Sequence, residues 1–372
     1  MKIVYFINNL GFFVSHRLPL ALEAKKRGWE VYLITGKPGS KKIDRHGKEI
    51  FQKTNIKHYQ FNIDSAFSSF FVEMYSLFKI IILLKKIKPN IVHTATPKGN
   101  FYTMLISFFI RKPKYIFSFS GLGTMFNERK FFILKIIYNF LIKFIKFTKN
   151  KNIILQNKDD YKWFKKLNVA KNIFLVPGSG VDLNKTKKIK YNLEAKNVIF
   201  VGRYLYNKGL MEFLKASKIL KKQFKNWNFI IIGANDYNNP VAVPQKIIRK
   251  FIDNGSVIDA GYTKNIYKYY KNTAIICLPS YREGLPLCLL EAACCGIPIV
   301  TANAIGCRES LINNKTGYLV KVGSISDIVI KIRKLILNQF IRKQFSRNAK
   351  LYGMKRFNLK NIITKIFSIY EY

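Results

Sequence analysis

Two series of short apolar segments, each separated from the next by a longer helical pattern, constrain the fold of this chain more than any other feature. Near-continuous apolar runs of this kind are typical of parallel strands that are covered by helices on both faces. The first half contains KIVYFIN (2–8), EVYLITG (30–36), NIVHTAT (90–96), KYIFSFS (114–120) and NIILQN (152–157). The second half contains NVIFVGR (197–203), NFIIIG (228–233), SVIDAG (256–261), AIICLPS (274–280) and PIVTAN (298–303). Two such series predict two doubly wound, Rossmann-like α/β domains.

The domain boundary is expected at a polar, lysine-rich segment, KTKKIKYNLEAK, which covers Lys185–Lys196 and has the composition of a linker. The first domain then covers residues 1–185 and the second covers 197–355. We expect residues 356–372 to form a helix that packs back on the first domain. Helical patterns such as Arg17–Arg27 and Phe71–Lys88 lie between the predicted strands.

The charge balance predicts an anionic partner. The chain has 65 Lys and Arg against 20 Asp and Glu, a formal net charge of +45. Nucleic acid, an acidic bilayer and a phosphorylated substrate all fit such a surface, although a general lysine bias in the composition would produce the same number.

The cysteines and the apolar runs predict the compartment. All five cysteines fall within residues 277–307, mostly in apolar surroundings, and their spacing is not that of metal ligands. We therefore expect reduced core residues and no metal site. The chain opens directly on a predicted strand, and no charge-free apolar run reaches 18 residues. We expect neither a signal peptide nor a membrane-spanning helix, and hence a cytoplasmic protein.

One segment, Asn127–Asn152, combines aromatic and basic residues on opposite sides of a predicted helix. Polar residues recur on one side at Lys135, Asn139, Lys143, Lys146 and Asn150, whereas the other side carries Phe131, Leu134, Tyr138, Leu141 and Ile145. This pattern predicts an interfacial helix near residues 129–149 that binds an anionic membrane surface. The alternative is a surface helix that packs on its own sheet.

The stretch PSYREGLPLCLLEAACCGIPIV (279–300) indicates a ligand site. Pro286 is suited to the first position of a helix, and Gly296 with Pro298 would end it. A helix over 286–295 would begin at the carboxyl end of a parallel strand, where backbone N–H groups bind anions. Two carboxylates flank this start, Glu283 in the loop and Glu291 within the helix. We expect them to accept hydrogen bonds from the hydroxyls of a nucleotide sugar whose diphosphate lies at the helix N-terminus.

A second loop supports this interpretation. The segment VGRYLYNKGL (201–210) places Arg203 and Lys208 after the first strand of the second domain, where they can neutralise a diphosphate. The sequence contains no Asp-x-Asp motif in support of a metal, so we expect no metal requirement. Taken separately, an ordinary basic loop or an exposed glutamate with a buried helix partner would explain each motif.

The motifs GR(x4)KG, PSYREGLPLCLLEA and GIPIVTANAIGCRESLINNKTGYLV together resemble the retaining glycosyltransferases of family 4. The resemblance covers essentially the whole chain and is most specific in the second domain. It implies the GT-B fold, in which two Rossmann-like domains face a central cleft. It also implies that Glu283 contacts the donor sugar, that Glu291 binds the ribose, and that Arg203 and Lys208 bind the diphosphate. The other implied donor contacts are Gly11, Gly284, Leu285 and, near the base, Gly261 and Tyr262.

The first half departs from the family pattern at one position. Ser120 stands where many relatives have a histidine that touches the donor sugar. The segments NNLGFFVSHRLPLA and VHTATPKGN are similar to those of enzymes that extend undecaprenyl-diphosphate-linked sugars for surface polysaccharides such as O-antigen. On the acceptor side, His16 and Arg17 are candidates for binding a diphosphate or orienting the acceptor hydroxyl, although His16 is equally explained as a polar residue at a helix start. His93 is also an acceptor-side candidate, but a buried core histidine or a wall residue is a simpler interpretation of that position than a base.

The resemblance also implies a mechanism without a protein nucleophile, in which Arg203, Lys208 and Glu283 carry the catalysis. The acceptor hydroxyl attacks on the side from which the diphosphate leaves, and a phosphate oxygen takes its proton. The family favours UDP as the nucleotide, with GDP open, and a lipid-linked glycan as acceptor. Two alternatives stay open, a nucleotide-sugar 2-epimerase of the same fold and a nucleic-acid-binding protein. The first needs acid and base residues that the sequence does not identify, and the second needs a reader motif that it lacks.

Overall fold

The computed structural model describes residues 1–37, 41–63, 70–121, 142–235 and 239–372. These residues form two compact units. The first unit consists of Met1–Val176 together with Ile363–Tyr372, and the second unit consists of Pro177–Ile362.

In the described part of the first unit, seven parallel strands form a sheet of order β3-β2-β1-β4-β5-β6-β7. The register runs from Lys2 opposite Glu30 to Ile7 opposite Thr35 between β1 and β2. The central strands are almost wholly buried, which explains their continuous apolar sequences. The strands are β1 (Lys2–Ile7), β2 (Glu30–Thr35), β3 (Lys57–Gln60), β4 (Ile91–Ala95), β5 (Lys114–Phe119), β6 (Lys151–Leu155) and β7 (Ile173–Leu175).

Helices connect these strands. Asparagine caps begin two of them, since Asn9 accepts from the Phe12 N–H at 2.9 Å and Asn157 accepts from the Asp160 N–H at 2.8 Å. The helices are Leu10–His16, Leu18–Lys26, Lys41–Phe51, Phe70–Ile87, Pro97–Phe109 and Lys158–Leu167, with a 3₁₀ turn at Ile145–Phe147.

The second unit repeats the architecture. Its described strands form a parallel sheet of order β10-β9-β8-β11-β12-β13 around one apolar core. The strands are β8 (Asn197–Val201), β9 (Asn228–Ile232), β10 (Ile258–Gly261), β11 (Ile275–Leu278), β12 (Ile299–Ala302) and β13 (Gly317–Val320). The helices are Leu183–Lys187, Leu210–Gln223, Gln245–Asp253, Tyr267–Tyr270, Leu287–Cys295, Ile325–Leu337 and Gln339–Arg356, with 3₁₀ turns at Tyr206–Lys208 and Arg308–Ser310. The prediction of two doubly wound domains is confirmed.

The last helix, Leu359–Glu371, begins in the second unit and ends in the first. Its final turns pack into the first unit, where Tyr370 is fully buried and Phe367 lies 5.3 Å from the ring of Trp29. The side chain of Asn152 on β6 also donates to the carbonyl of Ile369 at 3.0 Å.

The division between the units differs from the predicted linker. It falls between Val176 and Pro177, so that Lys185–Lys196 lies inside the second unit. The segment carries three residues that pack on the core of that unit, Ile189, Tyr191 and Ala195. The segment was predicted to be a linker because lysines lie between its buried residues. In so basic a chain, the alternation of lysines with buried residues is hard to detect.

Two further predictions concern membranes and thiols. The predicted interfacial helix near 129–149 lies mostly outside the described residues, which resume at 142. Among the helices that the structure describes, none combines the length and the apolar character needed to cross a bilayer. The five cysteines are free and all except the half-buried Cys288 are buried, as expected for reduced core residues.

Candidate functional site

The ends of two neighbouring strands define the site in the second unit. Strands β8 and β11 pair directly, with Val198 opposite Ile275. The strands that follow β8 in the chain, β9 and β10, lie on one side of this pair, and those that follow β11, β12 and β13, lie on the other. Such a switch point leaves a crevice at the carboxyl ends of the strands, where α/β proteins bind ligands. The loop after β8 carries Arg203 and Lys208, and the loop after β11 carries Glu283.

Backbone contacts hold these two loops together. The carbonyl of Asn207 accepts from the backbone N–H of Tyr281 and from the hydroxyl of Ser280, both at 3.0 Å. Gly209 has a φ of +73°, and a Cβ at this position would lie 2.3 Å from the carbonyl oxygen of Pro279. Only glycine fits both the left-handed backbone and the close approach, so the glycine of the Lys-Gly pair has a structural cause.

The two loops bring Lys208 and Glu283 into contact. The Lys208 ammonium lies 2.5 Å from Oε1 of Glu283, and the hydroxyl of Ser280 donates to the same oxygen at 2.8 Å. The Glu283 side chain is only 11% exposed and that of Lys208 23%. The Glu283 backbone is fixed as well, because its N–H donates to the carbonyl of Ile305 at 3.0 Å. The site therefore contains a half-buried ion pair whose geometry both loops determine.

The helix Leu287–Cys295 begins beside this pair. The structure corrects one detail, since Pro286 is the cap rather than the first helical residue and its carbonyl accepts from the Leu289 N–H at 3.0 Å. The predicted stop at Gly296 is present, with a φ of +76°. Gly284 and Leu285, the predicted backbone contacts, are buried just before the helix. The first-turn N–H groups of a helix lack intrahelical partners, which makes this end suited to an anion.

Glu291 lies further along the same helix and meets two tyrosines that the sequence analysis did not identify. The hydroxyls of Tyr267 and Tyr270 donate to its two carboxylate oxygens, each at 3.2 Å. Burial raises the pKa of Glu291 to about 7, while the tyrosine hydrogen bonds and the charge of Lys185 oppose the shift. The tyrosines share one face of the short helix after β10, and their Tyr-x-x-Tyr spacing was the available signal.

The predicted base contacts lie near these tyrosines in sequence. Gly261 ends β10 with a φ of +63°, and its N–H donates to Asp259 at 2.8 Å. A Cβ added to Gly261 would meet no atom within 4 Å, so the backbone there borders open space. Tyr262 follows it and is half-buried.

The candidate residues of the first unit differ in whether their side chains or backbone groups are exposed. Gly11 was predicted to lie in a glycine loop that contacts the donor, but it is the second residue of the helix Leu10–His16. Its N–H donates to the buried carboxylate of Asp44 at 2.8 Å, so it is not available to a ligand. His16 ends the same helix, stacked on Phe12 with ring centroids 4.3 Å apart and half-exposed.

Two acceptor-side candidates lie in the interior of the first unit, where His93 has the buried position that the simpler interpretation predicted. Arg17 is 3% exposed and His93 is fully buried. The ring nitrogens of His93 contact the hydroxyls of Tyr370 at 2.5 Å and Ser118 at 2.7 Å. Burial lowers the pKa of His93 well below its ordinary value, and the nearby charge of Arg17 lowers it further. The pattern of β4 determined this outcome, since every residue of that central strand is buried.

Ser120 follows β5, as predicted, at the end of the described stretch. Its hydroxyl is buried and has no hydrogen-bond partner in the part of the chain that the structure describes. In that same part, no group of three or more His, Cys, Asp or Glu side chains is arranged to hold a metal ion.

Comparison with known proteins identifies the family. The family model "Glycosyl transferases group 1" matches residues 181–352, and "Glycosyl transferase 4-like" matches residues 2–157. The chain is a glycosyltransferase with a 4-like domain in its first half and a group 1 domain in its second. Both halves of the chain therefore have a counterpart in known glycosyltransferases, and the Lys208–Glu283 pair and Glu291 lie within the region that the group 1 model matches.

Individual relatives support the assignment. The chain is 25% identical to the N,N'-diacetylbacillosaminyl-diphospho-undecaprenol alpha-1,3-N-acetylgalactosaminyltransferase of Campylobacter jejuni over 92% of each chain. It is 24% identical to the UDP-Gal:alpha-D-GlcNAc-diphosphoundecaprenol alpha-1,3-galactosyltransferase of Escherichia coli, over 80% of this chain and 79% of the relative. The crystal structure of HepE from Anabaena in complex with UDP and glucose has a TM-score of 0.79 at 14% identity, covering 99% of both chains. The fold is GT-B.

Proposed function

We propose that this glycosyltransferase moves a hexose or an N-acetylhexosamine from a UDP-sugar to an undecaprenyl-diphosphate-linked glycan, with retention of anomeric configuration. Two relatives that match most of this chain are named as enzymes that act on diphospho-undecaprenol-linked sugars, and the name of one of them gives UDP-Gal as the donor. The product would enter a surface polysaccharide or a related glycan, as the similarity to a capsular polysaccharide glycosyltransferase of Staphylococcus aureus supports.

The ion pair between Lys208 and Glu283 is the observation that carries the proposal. A diphosphate at the start of the helix Leu287–Cys295 would draw the Lys208 ammonium toward its oxygens, with Arg203 on the same loop adding a second cation. Glu283 would then accept a hydrogen bond from a hydroxyl of the donor sugar. Donor binding would therefore replace the Lys208–Glu283 contact with contacts to the ligand. Because the two residues lie on different loops, this exchange would link donor binding to the positions of both loops.

Glu291 would bind the ribose. Its two oxygens already accept from Tyr267 and Tyr270, and a carboxylate can accept further bonds from the two ribose hydroxyls. Open space beside Gly261 fits a base on the far side of that ribose.

Catalysis in this proposal is positioning and charge stabilisation. The acceptor hydroxyl attacks the anomeric carbon on the face from which the diphosphate departs, the C–O bond to the diphosphate breaks, and a phosphate oxygen takes the hydroxyl proton. Arg203, Lys208 and the helix N-terminus stabilise the charge that develops on the leaving diphosphate. We propose that these groups suffice without a divalent metal, so turnover should persist in EDTA.

The acceptor requires a membrane surface. We propose peripheral association with the cytoplasmic face of the cell membrane, which the net charge of +45 would favour on anionic lipids.

Thermal unfolding in the presence of nucleotides tests the donor site. UDP, GDP, ADP and CDP are added in turn without metal, and a ligand at a hundred times its dissociation constant should add about 2.7 kcal/mol of stability. We expect UDP to raise the midpoint. Glu291→Ala should abolish the shift, whereas the matched variant Glu194→Ala, which removes an exposed glutamate of the same unit, should keep it. A normal UDP shift in Glu291→Ala would contradict the ribose assignment.

A further inference from the structure

The helix Phe70–Ile87 of the first unit exposes an apolar face on the side opposite to its buried face. The buried side includes Glu73, Leu77, Ile80, Leu84 and Ile87, which recur every three or four residues, and its four apolar residues pack into the core. A surface helix normally carries charged and polar residues on the other side. This one does not.

Large apolar residues occupy that other side instead. Phe71 is 81% exposed, Tyr75 60%, Phe78 59% and Ile82 52%, and Met74 lies beside them at 46%. The spacing of the first four places them in a single stripe along the helix, because residues three and four apart are neighbours on a helical surface. Contiguous exposed apolar residues in a soluble protein are typical of an interaction surface.

A helix that packs on the first one also carries exposed aromatic residues. The helix Pro97–Phe109 contacts the first one through Glu73, whose carboxylate is bonded to the Lys98 ammonium and the Tyr102 hydroxyl, each at 2.5 Å. This second helix ends in two exposed aromatic residues, Phe108 and Phe109. Each of these two packed helices therefore carries exposed apolar residues.

Basic residues surround the apolar ones. Lys79, Lys85, Lys86 and Lys88 are exposed on or just after the first helix, and Arg111 and Lys112 follow the second. The Lys79 ammonium lies 4.3 Å from the centre of the Tyr75 ring. The single acidic residue in the sequence of the first helix, Glu73, points inward and is paired with Lys98. The face is thus apolar and cationic.

We propose that this face binds an anionic phospholipid bilayer. We call it the docking face and define it as the exposed residues of Phe70–Ile87 together with Phe108, Phe109, Arg111 and Lys112. The helix would lie in the plane of the interface, with the stripe among the acyl chains and the lysines among the headgroups. This proposal depends on the proposed function only because a lipid-linked acceptor requires the protein to reach a membrane. It concerns a different segment from the one predicted near 129–149.

Charge complementarity distinguishes a bilayer from a second copy of the chain. Lysine is depleted at protein–protein interfaces, whereas clusters of lysine around an amphipathic helix are typical of binding to anionic lipid. A second copy of the docking face would also bring like charges together.

Flotation with vesicles tests the proposal. The full chain without nucleotide is mixed with vesicles of phosphatidylcholine alone or with one third phosphatidylglycerol. We expect binding to the anionic vesicles that weakens with salt. Phe71→Ser/Phe78→Ser and Lys85→Gln/Lys86→Gln should each reduce the partition coefficient by about tenfold or more. The matched control Phe340→Ser/Leu351→Ser removes two equally exposed apolar side chains of the second unit and should bind as the parent does.

Two results would overturn the proposal. One is a partition coefficient that stays within twofold of the parent in both docking-face variants. The other is a parent dimer in sedimentation that Phe71→Ser/Phe78→Ser dissociates, which would assign the face to a second copy. The nucleotide shift in the same variants separates this proposal from the proposed function. If UDP raises the unfolding midpoint and the docking-face variants bind vesicles as the parent does, only the docking face is refuted. If UDP leaves the midpoint of the parent unchanged and the variants lose vesicle binding, only the donor site is refuted.

Discussion

The carboxyl group of Glu291 should link the stability of the second unit to pH. Burial among the tyrosines and the apolar residues of its helix raises its pKa from 4.5 to about 7. The hydrogen bonds from Tyr270 and Tyr267 do not offset the cost of removing the charge from water. The substitution Glu291→Gln keeps the shape and the acceptor oxygen and removes the titration.

The sign and the size of the effect on the free energy of unfolding follow from this pKa shift. The folded state binds the Glu291 proton more tightly than the unfolded chain does. The contribution of Glu291 to stability is therefore fully present below pH 4.5 and is lost as the pH rises through 7. A shift from 4.5 to about 7, at about 1.36 kcal/mol per unit, corresponds to roughly 3 kcal/mol. Glu291→Gln should therefore gain stability relative to the parent by roughly that amount between pH 4.5 and 8.

Urea unfolding with a reporter in the second unit measures this difference. Trp227 packs on the core of that unit, whereas Trp29 and Trp163 belong to the first unit. In a background with Trp29→Phe and Trp163→Phe, the fluorescence of Trp227 reports on the second unit alone. The free energy of unfolding is compared with and without Glu291→Gln at pH 4.5, 6, 7 and 8, with Glu194→Gln as the matched control.

A constant difference between the two proteins from pH 4.5 to 8 would refute the reasoning. It would mean that the carboxyl ionises in the folded protein near its ordinary pKa, and that the tyrosines and solvent stabilise the charge. Nucleotide binding provides a second readout of opposite sign, because a carboxylate accepts ribose hydrogen bonds better than the neutral acid. UDP affinity of the parent relative to Glu291→Gln should therefore rise from pH 5.5 to 8, and the ratio cancels the titration of the phosphate itself.

Three further predictions concern other contacts. Gly209→Ala should cost roughly 2 kcal/mol or more in urea unfolding, because its φ is +73° and its Cβ would meet Pro279; a change below about 0.5 kcal/mol would show that the loop relaxes freely. Lys208→Met should lower turnover by about a hundredfold while UDP affinity changes far less, and equal losses in both would assign Lys208 to ground-state binding. Tyr370→Phe removes the hydroxyl that contacts His93 at 2.5 Å and should cost about 1–3 kcal/mol in the first unit; unchanged stability would mean that the contact contributes nothing.

The sequence predicted the central strands and missed three of the four edge strands. β3 and β7 end the order of the first sheet and β13 ends that of the second, and none of the three was predicted, whereas β10 at the other edge of the second sheet was. A central strand is covered on both faces and on both sides, so its apolar run is continuous. An edge strand such as Lys57–Gln60 is short and half-exposed, and its sequence, KHYQ, has no apolar run to detect.

The donor-side motifs were predictable because their order along the chain fixes their place. Arg203, Lys208 and Glu283 follow two strands, and pairing of those strands brings the loops together. The contact of Lys208 with Glu283 was not predicted, since it depends on the exact path of both loops. Tyr267 and Tyr270 were missed because they reach Glu291 from a different helix. Their Tyr-x-x-Tyr spacing indicates a shared helix face but does not identify the partner of that face.

Burial that the sequence does not reveal decides where the side chains of two first-unit candidates lie. Arg17 and His93 were polar residues near the expected ligand side, but both side chains turn inward beside Tyr5 and Tyr370. Tyr370 comes from the far end of the chain. A partner that is supplied by a distant helix cannot be seen in the sequence around β4.

The transfer reaction itself tests the central claim most directly. The chain is incubated in EDTA with UDP-hexoses or UDP-N-acetylhexosamines and with undecaprenyl-diphosphate-linked monosaccharide in anionic vesicles, and the lipid is analysed by mass spectrometry. The account predicts that one UDP-sugar adds one residue to the lipid-linked acceptor, with the anomeric configuration of the donor retained. A folded chain that binds UDP but leaves every acceptor unextended, or that returns the donor as its 2-epimer, would contradict it.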